Sequence, residues 1–140
     1  MVNGRPISEP WLDENIPAII ETWEPGSLGG KALAEVLFGE INPSGKLPLT
    51  IPRSVGQLQM VYNHKPSQYF HKYAFEKIKP LYPFGYGLSY STFKISEPEL
   101  SEINWDGKGT LDVAVNVENI GEVEGKETIQ LYVRDMYSSV

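Results

Sequence analysis

Carboxylates are the side chains through which this sequence could do acid–base or nucleophilic chemistry. The chain has eighteen aspartates and glutamates, two histidines (His64 and His71) and no cysteine. It therefore offers no thiolate nucleophile or thiolate metal ligand, and two histidines are too few for a convincing histidine-based metal site. Any catalysis would have to rest on carboxyl groups acting as acid, base or nucleophile. We predict neither a metal ion nor a cofactor.

The carboxylates that stand close together in sequence favour a structural interpretation. Glu21 and Glu24 flank Trp23, which could place a catalytic acid beside an aromatic stacking surface. They end a predicted strand at a turn, however, so we predict that they are structural. Two further pairs have the i, i+2 spacing that usually marks one solvated face of a strand or turn, namely Glu97 with Glu99 and Glu122 with Glu124.

A glycine-rich turn, Pro25-Gly-Ser-Leu-Gly-Gly30, precedes a predicted helix. Helix N-terminal amides can bind phosphate, but the turn lacks the Gly-Lys-Ser/Thr ending of a phosphate loop and the full dinucleotide-binding spacing. A tight turn with close helix packing explains the glycines better.

Charge and hydropathy exclude several classes of function. The formal charge is −6, and the twelve basic residues are scattered, which disfavours nucleic acid as a partner. No apolar run approaches the roughly 20 residues needed to span a membrane. No signal peptide is visible, and the sequence leaves the compartment open.

Residues 1–58 are predicted to be α/β. Ile16–Trp23 is apolar and β-rich enough for a buried strand, and Gly30–Phe38 has helical spacing with Leu33, Val36 and Leu37 on one face. Gly39 stands where a glycine commonly ends a helix. Leu47–Ile51 is predicted to be an edge strand, because Pro48 and Pro52 confine it.

Residues 59–90 are predicted to be an ordered, aromatic-rich linker and joint. The end of this segment overlaps the block Tyr82-Pro-Phe-Gly-Tyr-Gly-Leu-Ser-Tyr-Ser-Thr-Phe93, which holds five aromatic residues. The block cannot be helical, because Pro83, Gly85 and Gly87 interrupt it. We predict that Tyr82, Phe84, Tyr86 and Tyr90 are mostly buried between two structural units, with Gly85 or Gly87 at a turn.

Residues 91–140 are predicted to be all-β. A first strand is expected within Thr92–Ile95, and apolar and polar residues alternate along 110–118 and again along 127–134, as in half-buried antiparallel strands. An immunoglobulin-class sandwich needs about seven strands. We find three at most, so we expect the sandwich to be truncated.

Five blocks, in order along the chain, resemble the C-terminal part of glycoside hydrolase family 3. They are Val2-Asn-Gly-Arg-Pro6, Trp23 to Gly30, Asn42-Pro-Ser-Gly-Lys-Leu-Pro-Leu-Thr-Ile-Pro-Arg53, Tyr82 to Phe93, and the run from Val113 through Gly125-Lys-Glu127 to Val133. The resemblance implies the end of an α/β sandwich domain (1–58), a joint (59–90) and the start of a fibronectin type III-like domain (91–140).

The resemblance also implies a retaining glycosidase, acting on β-glucosides or related oligosaccharides. Such enzymes use two carboxyl groups about 5–5.5 Å apart. The family carries its nucleophile in an N-terminal barrel and its acid/base upstream of the position that matches Val2. No catalytic residue is therefore assigned to this chain.

Tyr62, Asn63 and His64 are the candidates for substrate contact, because aromatic faces stack on sugars while amides and imidazoles bond to hydroxyl groups. Docking between domains is the alternative role for this segment. The expected partners are a β-linked glycoside substrate, and either the missing barrel domain or a second copy of the chain. Two other hypotheses remain: a non-catalytic carbohydrate-binding or interaction module, and a purely structural fibronectin-like module.

Overall fold

The computed structural model describes residues 1–57, 60–63, 79–135 and 137. The described part contains a few short elements. The helices are α1 (Pro10–Asn15) and α2 (Gly29–Leu37), and the strands are β1 (Phe93–Ile95), β2 (Glu99–Leu100), β3 (Val113–Ala114) and β4 (Val117–Asn119). The strands form two separate antiparallel pairs, β1 with β4 and β2 with β3.

Helix α2 confirms the helix predicted from apolar spacing. Its last turn closes with a bond from Phe38 N to Ala34 O of 2.9 Å, and Gly39 follows with a φ of 78°. That left-handed conformation is the one in which glycine commonly ends a helix. Leu33 and Val36 are half-buried as predicted, but Leu37 is 61% exposed. The buried face of α2 is thus narrower than the sequence pattern indicated.

The strand predicted for Ile16–Trp23 is wrong. Among the described residues, the segment makes one short backbone contact in the parallel sense, in which Met1 N donates to Ile20 O at 2.5 Å and Thr22 N donates to Met1 O at 3.0 Å. A regular strand requires a continuing row of such bonds with a neighbour. The contact ends before Asn3 in one segment and before Trp23 in the other.

The edge strand predicted for Leu47–Ile51 is also wrong. The segment runs beside residues 81–86 but forms a single antiparallel bridge, between Ile51 and Tyr82. Pro48 and Pro52 have no backbone N–H to donate, so the ladder cannot continue in either direction.

The C-terminal part is antiparallel, but its strands are shorter than predicted. The predicted first strand is confirmed by β1. The alternating run 110–118 divides into β3 and β4, and the two halves have different partners: Phe93 faces Asn119 in one pair, and Leu100 faces Val113 in the other. The predicted strand 127–134 forms no strand in the described part, because its residues contact the segment around Gly85 and Lys46 through side chains instead of through a backbone ladder.

Little of the described part is enclosed. Its buried hydrophobic residues are Ile51 and Leu81, which lie on either side of the bridge to Tyr82. The valines of β3 and β4, Val113 and Val117, are exposed. Among the described residues, no helix has both the length and the apolar character that crossing a bilayer would need.

Candidate functional site: the joint between two sequence blocks

Residues 42–53 and 82–93 come together in the structure, and we call their contact region the joint. Leu47 N donates to Tyr86 O and Gly85 N donates to Leu47 O, each at 2.8 Å. Farther along, Ile51 N donates to Tyr82 O at 2.8 Å and Leu81 N returns a bond of 2.8 Å to Ile51 O. The two blocks most typical of the family in sequence are therefore one structural unit.

Asn42 connects the joint to the C-terminal segment. Its side-chain Nδ2 donates to Ser91 Oγ and to Glu124 O, each at 3.0 Å. Its Oδ1 accepts from Tyr90 N at 2.8 Å and from Ser89 Oγ at 3.1 Å. One amide thus uses both of its ends to hold segments that are 47 to 82 residues away in sequence.

Lys46 and Glu127 form an ion pair across the same joint. Lys46 Nζ lies 2.9 Å from Glu127 Oε1 and donates to Gly87 O at 2.8 Å. The two side chains keep only 16% and 14% of their exposure, so solvent screens this pair less than an ordinary surface pair. The hydrogen bond from Lys46 holds the pKa of Glu127 below its usual value, against the opposing effect of burial.

Two glycines allow the close approaches in the joint. Gly85 has a φ of 79° and lies against Gln130, whose Nε2 donates to Gly85 O at 2.9 Å. A Cβ atom at Gly87 would lie 2.2 Å from Gly45 O, a distance that real Cβ atoms do not tolerate. The predicted turn at Gly85 or Gly87 is confirmed at Gly85, and Gly87 is required by the close approach of a backbone.

The aromatic side chains are arranged differently from the prediction. Tyr82 and Phe84 are half-buried, while Tyr86 is 40% and Tyr90 is 49% exposed. The prediction that all four are mostly buried is therefore wrong. The hydroxyl groups of two of these residues are bonded, because Tyr82 donates to Asp13 Oδ1 and Tyr90 donates to Val36 O, each at 2.7 Å. Burial, then the bond to Asp13, raises the pKa of Tyr82 to about 12.

A shallow groove of about 440 Å³ lies beside the joint. Tyr62 stacks on Phe84 with ring centroids 4.2 Å apart, and Tyr132 meets Tyr62 edge-on at 6.0 Å. Tyr132 donates its hydroxyl proton to Gln130 Oε1 at 2.5 Å, which fixes that ring. The remaining lining residues are Thr50, Met60, Val61, Pro80 and Pro83. The groove can offer aromatic faces and a few hydroxyl groups to a ligand.

The three predicted substrate-contact residues are only partly placed. Tyr62 lines the groove and is half exposed, and Asn63 is exposed next to it. His64 lies outside the described residues. The role of all three therefore stays a prediction.

The structural interpretation of Glu21 agrees with its bonds. Its carboxylate accepts from Asn3 Nδ2 at 2.5 Å and from Trp23 N at 3.0 Å. Trp23 has a φ of 51°, which is unusual for a bulky residue, and the Glu21 carboxylate braces this conformation. Glu24 lies over Gly4, where a Cβ atom would meet its Oε1 at 2.6 Å. Within the described ranges, no group of three or more His, Asp or Glu residues could hold a metal ion.

Sequence reasoning missed Asn42, Lys46 and Glu127 as the residues that organise the joint. Each belongs to a block that resembles the family, at the start of 42–53 or within Gly125-Lys-Glu127. The sequence therefore did mark these residues, because each of them lies in one of the motifs. It could not show which side chains meet, because the contacts span many residues of chain.

The Lys46–Glu127 pair gives a prediction for the pH dependence of stability. Because the folded pKa of Glu127 is lowered, its contribution is fully present above the unfolded value of about 4.5 and is lost as the pH falls through the folded pKa. We expect Glu127→Gln to lower the free energy of unfolding by about 0.5–1 kcal/mol at pH 7, and the difference from the unmodified chain to shrink as the pH falls below about 4.5. Urea denaturation at several pH values measures this. The exposed Glu118→Gln variant is the control, and a difference that stays constant with pH would contradict the assignment.

Comparison with known proteins identifies the family. The profile of the glycosyl hydrolase family 3 C-terminal domain matches residues 1–90. The chain is 46% identical to a β-xylosidase of Formosa agariphila and 45% identical to a periplasmic β-glucosidase of Salmonella typhimurium, in each case over all of this chain and 20% of the relative. The chain thus spans about one fifth of the length of the curated relatives it matches.

Solved structures agree with this result. A β-glucosidase of Listeria innocua in complex with glucose superposes with a TM-score of 0.86 at 38% identity, over 99% of this chain and 21% of that one. A β-glucosidase of Erythrobacter marinus gives 0.81 at 48% identity, over 86% and 16% of the two chains. The chain belongs to glycoside hydrolase family 3.

Proposed function

We propose that this chain is part of a retaining β-glycosidase that cleaves β-glycosidic bonds and releases terminal glucose-type residues. The observation that carries the proposal is the 46% and 45% identity, over the whole chain, to a β-xylosidase and a β-glucosidase. The proposed substrate class is a β-linked glycoside or oligosaccharide. This agrees with the relatives' names and with the glucose complex of the Listeria innocua enzyme.

The proposed role of these residues is to hold domains together, while the chemistry belongs to other parts of the enzyme. A retaining glycosidase needs a nucleophile and an acid/base about 5–5.5 Å apart, and the family pattern places both outside the motifs matched here. Two well-placed carboxylates of this chain already have internal partners. Glu21 accepts bonds from Asn3 and Trp23, and Glu127 pairs with Lys46.

The proposed domain boundaries follow from the same pattern. Residues 1–58 would be the end of an α/β sandwich, 59–90 an ordered, aromatic-rich linker and 91–140 the start of a fibronectin type III-like domain. The parallel contact between Met1 and Thr22, followed by α2, supports the first assignment. The antiparallel pairs β1–β4 and β2–β3 support the last.

Tyr62, Asn63 and His64 are proposed to contact the substrate. The support is the groove beside the joint, in which the half-exposed Tyr62 presents a ring with Tyr132 close by. Sugars present C–H faces that pack on such rings, and the exposed Asn63 amide can bond to hydroxyl groups.

A chimera tests the proposed function. The segment of the Salmonella typhimurium periplasmic β-glucosidase that matches this chain is replaced by residues 1–140, and hydrolysis of an aryl β-glucoside is measured. We expect turnover within about tenfold of the parent enzyme, because only the joint and its supports change. The parent enzyme lacking the segment and the isolated chain should both be inactive.

The controls separate folding from function. A chimera that unfolds at the parent's temperature but has lost turnover more than a hundredfold would refute the supporting role. Binding of β-linked oligosaccharides by the isolated chain, measured by calorimetry, would instead favour an independent carbohydrate-binding module.

A further inference from the structure

Asn3 and Gly4 form a dipeptide in which the asparagine side chain can react with the backbone. Asn3 is the only asparagine of the chain that a glycine follows. Glycine has no side chain to keep its backbone nitrogen away from the asparagine amide, and asparagine is one of the chemically less durable residues. The Gly4 nitrogen can therefore attack Asn3 Cγ, which is the first step of deamidation.

The structure leaves the Gly4 nitrogen available for this attack. The parallel contact between Met1 and Thr22 ends before Asn3, so the Gly4 N–H is not part of a backbone ladder. Gly4 is exposed, and no hydrogen bond joins its N–H to another residue of the described ranges. No such bond has to break before the nitrogen can react.

The packing around Gly4 favours the residue type that leaves Asn3 reactive. A Cβ atom at Gly4 would lie 2.6 Å from Glu24 Oε1. A larger residue would have to displace the Glu24 carboxylate, whereas glycine lets this carboxylate lie directly against the backbone. The contact with Glu24 therefore explains why glycine follows Asn3.

The carboxylate that holds the Asn3 side chain would repel the product of deamidation. Asn3 Nδ2 donates to Glu21 Oε2 at 2.5 Å, and Glu21 Oε1 accepts from Trp23 N at 3.0 Å. An aspartate in place of Asn3 has no N–H to donate, so two carboxylates would meet where an amide and a carboxylate now bond. Carboxylates that share one site repel each other. The repulsion would also disturb the carboxylate that braces Trp23 at its φ of 51°.

We propose that Asn3 is a site of spontaneous deamidation, and that its product loosens the contact between residues 1–4 and 20–24. In the reaction, the Gly4 nitrogen forms a bond to Asn3 Cγ while the bond from Cγ to Nδ2 breaks. The Gly4 amide proton leaves with the Nδ2 amino group as ammonia, and a cyclic succinimide remains. Water then opens the ring at either of its carbonyl groups, giving aspartate or isoaspartate. Because the ammonia is lost to solvent, the change is one-way and accumulates with the age of the molecule.

Peptide mapping of the chimera by mass spectrometry tests the reaction. The folded chimera is incubated at pH 8, and the asparagines within residues 1–140 are compared. We expect Asn3 to lose its amide before any of the others and to yield both aspartate and isoaspartate. Asn3→Gln is the matched control and should keep its amide, because the longer side chain forms a cyclic product far less readily. If Asn3 stayed intact in the folded chimera but was converted in the chimera unfolded in guanidinium chloride, the proposed site would be overturned.

Two substitutions test the structural consequence. Asn3→Asp, which has the charge of the product, should lower the urea midpoint of the chimera. Adding Glu21→Gln should recover most of this loss, because the substituted side chain can donate to the aspartate and still accept from Trp23 N. Glu21→Gln alone should lower the midpoint, so additive losses in the double variant would show that the two side chains do not interact and would overturn the loosening. A chimera without turnover that still converts Asn3 would support this site and count against the proposed function alone.

Discussion

Replacing Gly87 by valine is expected to disrupt the joint and to destabilise the chimera by about 3 kcal/mol or more. A Cβ atom at this position would meet Gly45 O at 2.2 Å and Lys46 Cα at 3.2 Å. Both obstacles are backbone atoms, so no rotamer change can relieve the overlap. The 42–53 segment would have to move away from residues 81–87, and the bonds of Leu47 with Tyr86 and with Gly85 would lengthen.

Gly45→Val is the matched control. Gly45 lies in the same joint, and a Cβ atom there would meet nothing within 4 Å. Urea denaturation and amide hydrogen exchange at Leu47 and Gly85 measure the two effects. Equal destabilisation by the two substitutions would show that valine destabilises the chimera by removing the backbone freedom of glycine. The close approach of Gly45 O to Gly87 would then contribute nothing further.

Replacing Asn42 by alanine is expected to cost about 2–4 kcal/mol, because the side-chain amide makes four hydrogen bonds to two separated segments, 89–91 and Glu124. Ser91 is buried, so its hydroxyl group would lose a donor in a region with little access for water, and the Tyr90 N–H would lose its acceptor. A Cβ atom at Gly125 would lie 2.7 Å from Asn42 Nδ2, which shows how closely the amide is enclosed.

Two variants locate the effect within the amide. Asn42→Asp keeps an acceptor for Tyr90 N and Ser89 but turns the donor that faces Glu124 O into an acceptor, so it should destabilise the chimera at pH 7 nearly as much. Asn116→Ala removes an amide from an exposed position in the β region and should have little effect. If Asn42→Ala destabilised the chimera as little as Asn116→Ala, the contact between the joint and the C-terminal segment would not depend on Asn42.

Several local features follow from the sequence alone because neighbouring residues determine them. Helix α2 and its glycine stop were predicted from apolar spacing and from Gly39, and the turn at Gly85 from its glycine. The family was recognised from motifs such as 42–53, and the family profile then matched residues 1–90. In each case the physical determinant lies within a few residues of the feature.

Strand formation and burial could not be predicted in the same way. Ile16–Trp23, Leu47–Ile51 and 127–134 have suitable composition, but a strand exists only where a neighbour supplies a continuous ladder, and prolines or missing neighbours prevent it here. Tyr86 and Tyr90 were expected inside because they are aromatic. Their exposure depends on what packs against them.

The sequence by itself determined the family and the absence of cysteine chemistry, since each is a property of residue identity and order. The tertiary structure decided that Asn42 holds the C-terminal segment, that Lys46 pairs with Glu127 across 81 residues, and that Arg53 Nε is buried without an acceptor among the described residues. These contacts depend on how distant segments approach in space. No local pattern encodes that approach, because hydrogen bonds and ion pairs are set by distances of a few ångströms between atoms that the chain keeps far apart in sequence.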